Sequence, residues 1–357
     1  MKDLHFPIFK SKSRPGSPRF DLSDARERQK YFQFKAGEEI GKLKKYLKDN
    51  TFIALLIGKK SSGKGTYTKL FGEAVGPERI AHVSVGDVVR SLDKDVRDPK
   101  RRKKLEEFLK TNYRGWLPID QIITAQLKRS TKTLMPTEFV LALLKREIAK
   151  QGRKAIFLDG FPRDMDQVSY SLFFRDLIDF RDDPDLFVLF DVPLSVIDER
   201  IKHRVICPQC QTPRNLKLLA TKKAGFDPET GKFFLYCDNP KCKDIRMVRK
   251  EGDELGIGPI KKRLDLDDKL IRQAFSLYGV PKVLLRNAVP VEKAKEAIDD
   301  YELTPAYFYQ VDQKDKKVKI KQKPWVIPDD EGVSSHSLLA PAVTLSMIVQ
   351  IAEALDL

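Results

Sequence analysis

Four short apolar runs punctuate a largely polar chain. Residues 51–57 (Thr-Phe-Ile-Ala-Leu-Leu-Ile), 80–85, 155–158 and 186–192 are each of strand length. The stretches between them carry helical spacing: a charged segment from about Asp24 to Leu47 that Asp21 or Ser23 is placed to cap, one from Gly63, one from Glu106, and one over residues 137–151. Near-continuous apolar strands alternating with helices predict a parallel sheet covered on both faces. Residues 260–278 return to a helix, with Pro259 near its first turn. Residues 307–311 suggest a last strand and 342–355 a closing helix, while residues 1–20 read as an extended arm.

One stretch breaks the alternation. Residues 205–255 are polar, hold all four cysteines of the chain and contain Gly225, Pro228 and Gly231. The predicted organisation is an N-terminal arm and helix (1–48), a core part with a glycine-rich loop (49–85), a helical insert (86–153), a second core part (154–204), the cysteine-bearing segment (205–258), and a completion of the core with a C-terminal extension (259–357).

Composition narrows the class without naming it. Hydrophobic residues make up 41% and charged residues 33%, which excludes a disordered chain. A formal net charge of +16 favours anionic partners such as nucleotides, nucleic acid or acidic lipid. No apolar run approaches the ~18 residues needed to span a bilayer, and residues 1–19 lack the apolar stretch of a signal peptide, so a cytoplasmic location and no membrane partner are expected. Four cysteines in 357 residues do not make a small-secreted disulfide framework.

Between the first strand and its helix runs Gly58-Lys59-Lys60-Ser61-Ser62-Gly63-Lys64-Gly65-Thr66. Glycines let such a loop curl its N–H groups toward phosphate oxygens, the following helix N-terminus adds partial positive charge, and Lys64 is placed to reach β- and γ-phosphates. Gly58, Ser61, Ser62, Gly63, Lys64, Gly65 and Thr66 are therefore candidate ATP-binding residues. Asp159-Gly160-Phe161-Pro162-Arg163 ends the third strand. An acidic residue at the tip of an apolar strand beside a phosphate loop is placed to organise Mg²⁺, directly or through water, together with Thr66. Cys207-x2-Cys210 and Cys237-x4-Cys242 are two close pairs whose spacing suits a closed tetrahedral Zn²⁺ site. The segment has too few apolar residues for a core of its own, so a structural metal, zinc or iron, is expected to crosslink it.

The Gly-Lys-Gly-Thr loop and the complete Asp-Gly-Phe-Pro-Arg segment resemble those of the adenylate kinase family, over about residues 52–270. Lys60 and Ser61 stand where that family usually has Pro and Gly. The resemblance implies an α/β, P-loop NTPase-like three-layer fold with a central parallel sheet, a helical insert that binds the nucleoside monophosphate, and a zinc-binding lid. It implies that Ser84-Val85-Gly86-Asp87-x-x-Arg90 receives the acceptor, with Val85 replacing the usual Thr, and that Arg90, Gly160 and Arg163 bind AMP. Gln167, four residues after Arg163, matches the amide that reads the adenine edge. Arg200 and Arg204 match arginines at the base of the lid, with Arg200 also on ATP, while Arg249 and Arg263 resemble those on its far side. Lys64, Asp159, Arg200, Arg204, Arg249 and Arg263 would form the catalytic set. The implied reaction is reversible, Mg²⁺-dependent transfer of the ATP γ-phosphoryl group to AMP, giving two ADP. A UMP or CMP kinase on the same fold is the nearest alternative, and a zinc-knuckle nucleic-acid-binding protein is the alternative of another class. A monomer acting on ATP and AMP, without a nucleic-acid partner, is the expected form. Residues 93–134 look some 20 residues longer than their counterpart, and 1–48 and 280–357 have no assigned counterpart.

Overall fold

The computed structural model describes residues 4–127, 135–163, 167–168, 184–312 and 317–357. Its centre is a five-stranded sheet. The four predicted runs form β1 (Ile53–Gly58), β2 (Ile80–Ser84), β3 (Ala155–Asp159) and β4 (Asp185–Asp191). A fifth strand, Lys282–Arg286, pairs with β4 at one edge, giving the order Lys282–Arg286, β4, β1, β3, β2 with every pairing parallel.

The burial of β1 explains why its sequence is continuously apolar. Ala54 and Leu56 face one core, shared with α1 (Ala25–Asp49), α2 (Lys64–Val75) and the C-terminal helix Ala340–Ala354. Ile53, Leu55 and Ile57 face a second core, shared with α6 (Thr137–Ala149) and the helix Lys261–Ser276. A strand flanked on both sides has no solvent face to fill with polar residues. The result is the three-layer α/β fold of P-loop kinases.

Three expectations are corrected by the structure. Residues 307–311 do not join the central sheet. Pro305–Val311 pairs antiparallel with Val318–Pro324 as a separate hairpin, and the strand completing the sheet is Lys282–Arg286. Neither Asp21 nor Ser23 caps α1. Asp24 does, accepting from the Arg26 and Glu27 N–H groups, while Asp21 accepts from Ser23. The N-terminal segment is not a free arm: Phe6 is buried against Phe275, and the Ser11 and Lys12 N–H groups both donate to the Ala297 carbonyl.

The long insert is helical. α3 (Val85–Arg97), α4 (Pro99–Asn112), α5 (Ile119–Leu127) and α6 enclose a satellite core of Leu92, Val96, Leu105, Leu109, Ile123 and Phe139. Residues 128–134 of that insert lie outside the described residues.

Candidate phosphoryl-transfer site

The phosphate loop leaves the C-terminal end of β1, at the centre of the sheet, and runs into α2. Two residues give it its curl: Gly63, the N-cap of α2, and Ser61 both have left-handed backbone, at φ 104° and φ 66°. Only glycine adopts such angles freely, so Ser61 carries a strain cost of about 1 kcal/mol. Lys64 Nζ lies over the loop, donating to the Gly58 carbonyl at 2.8 Å and the Lys59 carbonyl at 3.3 Å. Asp159, at the tip of the adjacent β3, is 3.6 Å from that ammonium, and His82 on β2 approaches its other carboxylate oxygen at 3.9 Å. Ser62 Oγ, buried within the loop, has no hydrogen-bond partner among the described residues.

Cations from distant parts of the chain converge here. Arg200, on the helix Leu194–Lys202, donates to the Ser62 carbonyl at 2.9 Å. Arg263 donates to the Arg163 carbonyl at 3.3 Å and pairs with Asp267 at 2.8 Å. Asp267 also accepts the Lys60 N–H at 2.8 Å. One buried carboxylate thus joins the phosphate loop, through Arg263, to the Asp159–Arg163 segment. Burial pushes the Asp267 carboxyl above its ordinary pKa, against the pull of Arg263 and Lys64.

The Asp159–Arg163 turn is tightly built. Gly160 has φ 86°, and a Cβ placed on it would lie 3.5 Å from both Val85 Cβ and Arg163 Nε. Val85 is buried beside it. Gln167 is also buried. Its Oε1 accepts the Arg163 N–H at 2.8 Å and its Nε2 donates to Thr137 Oγ1 at 3.1 Å, so both ends of the amide are engaged within the protein.

Three predicted residues are not gathered with this set. Arg90 is exposed and paired with Asp87, one turn away on α3. Arg204 is held by Asp253 through two 2.7 Å bonds. Arg249 is exposed on a short strand, Val248–Arg249, paired with Arg204–Ile206. A cleft of about 710 Å³ lies elsewhere, lined by Phe20, Phe32, Phe34, Ile40 and Lys44 among others, and no candidate site residue lines it. Sequence reasoning missed Asp267, His82 and Asp330. The signal for Asp267 was present, since it follows Arg263 by one helical turn.

The four cysteines form a compact cluster whose Sγ atoms all lie within 4.8 Å of one another. Cys207 and Cys242 are 3.8 Å apart and Cys210 and Cys237 3.6 Å, well beyond the ~2.05 Å of a disulfide. Four Zn–S bonds of about 2.3 Å in a tetrahedron set sulfurs about 3.8 Å apart, so the donor set fits zinc. The Thr212 hydroxyl and backbone lower the Cys210 thiol to about 6, whereas burial pushes Cys242 up to about 12.

The chain aligns with curated proteins across this region. It is 30% identical to an adenylate kinase of Thermotoga petrophila over 205 residues, 56% of this chain and 74% of that protein. It is 28% identical to an adenylate kinase of Clostridium novyi over 63% of this chain and 85% of the relative. A mitochondrial GTP:AMP phosphotransferase of Drosophila melanogaster is 26% identical over 64% of this chain and 83% of its own length. No family model matches. A glycine-rich loop at the end of a central parallel strand, converging lysine and arginines, and relatives matched over most of their own length together place this chain in the adenylate kinase family, as a nucleoside monophosphate kinase.

Proposed function

We propose that the enzyme transfers the γ-phosphoryl group of ATP reversibly to AMP, giving two ADP. Gly58, Ser61, Ser62, Gly63, Lys64, Gly65 and Thr66 hold the donor phosphates, and Arg200 lies against the same loop. Thr66 and Asp159 are the residues that would hold Mg²⁺, which when bound neutralises charge on the donor phosphates. Val85, Arg90, Gly160, Arg163 and Gln167 take the acceptor.

The observation that carries this reading is the Asp267 bridge. It keeps Arg263 against the Arg163 carbonyl while anchoring the loop at Lys60, so donor-side and acceptor-side elements are fixed to one another before substrates arrive. In phosphoryl transfer the protein chiefly positions groups and supplies cations to the developing charge. Lys64, Arg200, Arg263 and Arg163 already surround one loop. Arg204 and Arg249 belong to the strands that lead into and out of the cysteine segment. Closure of residues 205–258 over the loop would add both and exclude water.

Cys207, Cys210, Cys237 and Cys242 hold a structural Zn²⁺. Four thiolates leave no open coordination position, so the ion stiffens the lid and takes no part in the chemistry. The region 86–153 serves as the acceptor-binding domain, and 49–85, 154–204 and 259–357 form the core.

The test is product analysis with ATP, Mg²⁺ and each monophosphate supplied separately. ADP from AMP, at a rate at least tenfold above UMP and CMP, is expected, together with a loss of about three orders of magnitude in kcat on Lys64→Ala. Equal turnover of all monophosphates would remove the AMP assignment, and an unaffected Lys64→Ala variant would remove the site. The inward-held Gln167 amide makes the base preference the more informative half of that panel.

A further inference from the structure

We propose that Asp330 is a positioning residue for phosphoryl transfer: the turn that carries it clamps the phosphate loop to the helix bearing Arg200. The claim rests on residues 58–66 being the ATP loop.

The clamp is built from groups outside every motif. Lys59, the first loop residue after β1, turns its side chain away from the surface, and that side chain is only 2% exposed. A buried ammonium needs a partner, and Asp330 Oδ2 supplies it at 2.6 Å, with the Val192 carbonyl at 3.4 Å. The same carboxylate works twice. Its Oδ1 accepts the Leu194 N–H at 2.7 Å, at the first residue of Leu194–Lys202. That helix has Pro193 at its N-cap position, with no side-chain cap of its own, so Asp330 caps it from 136 residues away. One residue on, Ser195 Oγ donates to the Pro328 carbonyl at 2.6 Å.

The turn is itself held. Asp329 accepts the Glu331 and Val333 N–H groups at 3.0 and 2.9 Å and pairs with Arg286, the last residue of the edge strand, at 3.3 Å. Burial pushes the Asp330 carboxyl up, but the Lys59 ammonium outweighs it and keeps it below the ordinary range, so it is ionised at neutral pH.

The contacts close a circuit. Lys59 at the start of the loop binds Asp330, Asp330 binds the start of the helix, and Arg200 near the helix end binds the Ser62 carbonyl in the middle of the loop. Without Asp330 the circuit opens, and Arg200 and the loop lose their fixed separation. The disturbance falls on the donor side, because neither Lys59 nor Leu194 touches the Val85, Gly160 and Arg163 group. This gives the C-terminal extension a task in the reaction.

The experiment compares Asp330→Ala, Asp330→Asn and the pair Lys59→Met/Asp330→Asn in the full-length protein, at a temperature where circular dichroism shows each folded. ATP affinity is measured by calorimetry and KM separately for ATP and AMP. For Asp330→Ala we expect at least a tenfold rise in Kd and KM for ATP with KM for AMP within about twofold. Asp330→Asn keeps the acceptor for Leu194 but not the charge, and should fall between. The double variant, with no buried unpaired charge, should recover at least half of the lost ATP affinity. A lowered melting temperature with both KM values and the ATP Kd unchanged would reduce Asp330 to a structural residue and overturn the proposal, as would equal shifts in both KM values. Should Asp330→Ala not fold, Asp330→Asn carries the same comparison. Should the wild type bind ATP yet phosphorylate no monophosphate, the functional reading fails while the ATP Kd series still decides the clamp.

Discussion

At Lys60 the backbone offers an N–H where loops of this family usually have proline, and Asp267 accepts it. The two departures belong together: a donor that proline lacks is met by a buried carboxylate, which in turn orients Arg263. Asp267→Ala therefore leaves both an unmet N–H and an arginine without its counter-charge, and should cost about 3 kcal/mol of stability. Asp267→Asn keeps the bond to Lys60 and should cost roughly 1–2 kcal/mol. Urea unfolding of the two variants checks the order, and an alanine variant within about 0.5 kcal/mol of wild type would sink the argument. At this scale the sequence is uneven. Lys64, Asp159 and Arg163 are legible because a glycine-rich turn after an apolar strand defines its own geometry. Asp267 is legible in principle, being one helical turn from Arg263. Asp330 is not, because nothing local marks a residue 271 positions from its partner. Gln167 shows the converse failure: spacing identified an amide, but not that Arg163 and Thr137 would occupy it.

Among elements, the cysteine segment depends most on something other than apolar packing. Arg204–Ile206 pairs with Pro213–Asn215 and with Val248–Arg249, and Ala224–Asp227 pairs with Lys232–Leu235, all short antiparallel strands. Their buried apolar side chains are essentially Val205, Leu216, Leu235 and Met247 around three of the cysteines. So small a core does not offset the ordering of some 50 residues, whereas a four-thiolate metal site does. Removing the metal with a strong chelator, or replacing buried Cys237 with serine, should release one zinc per chain and melt this segment below the main transition. The measurements are metal release by a colorimetric indicator and protease sensitivity between residues 205 and 258. Unchanged protease resistance after complete metal removal would contradict it. The central sheet shows what periodicity can and cannot deliver. β1, β3 and β4 are read correctly because burial on both faces makes them continuously apolar. Lys282–Arg286 lies at the sheet edge, buries alternate residues and holds only three apolar ones, so it offers little signal. Residues 307–311 carry a stronger pattern because Tyr309 stacks on Phe233 of the cysteine segment, a packing duty outside the central sheet.

Across the whole molecule, the two chain ends are tied to each other, and one carboxylate makes the tie sensitive to acid. Glu302, fully buried, accepts from Ser11 Oγ at 2.6 Å and from Tyr31 Oη at 2.5 Å. Beside it Asp299 pairs with Lys35 at 2.7 Å and accepts the Ser13 N–H at 3.3 Å. Partial burial pushes the Asp299 carboxyl up, but Lys35 and Ser13 more than offset this and bring it down to about 2. In the unfolded chain an aspartate titrates near 3.9. A carboxyl depressed on folding contributes its stability in full above the unfolded value and loses it as the pH falls toward the folded one. The Asp299 contribution should thus be constant from pH 7 to about 5, shrink below about 4, and vanish near pH 2. Comparing wild type with Asp299→Asn by urea unfolding at pH 7, 5, 4 and 3 isolates this group, because all other titrations are common to both proteins. The gap between the two curves should narrow only in the acid pair of measurements. A gap that is as wide at pH 3 as at pH 7 would mean that the Lys35 pairing does not anchor the N-terminal segment, and that Ser11 and Phe6 hold it by packing alone.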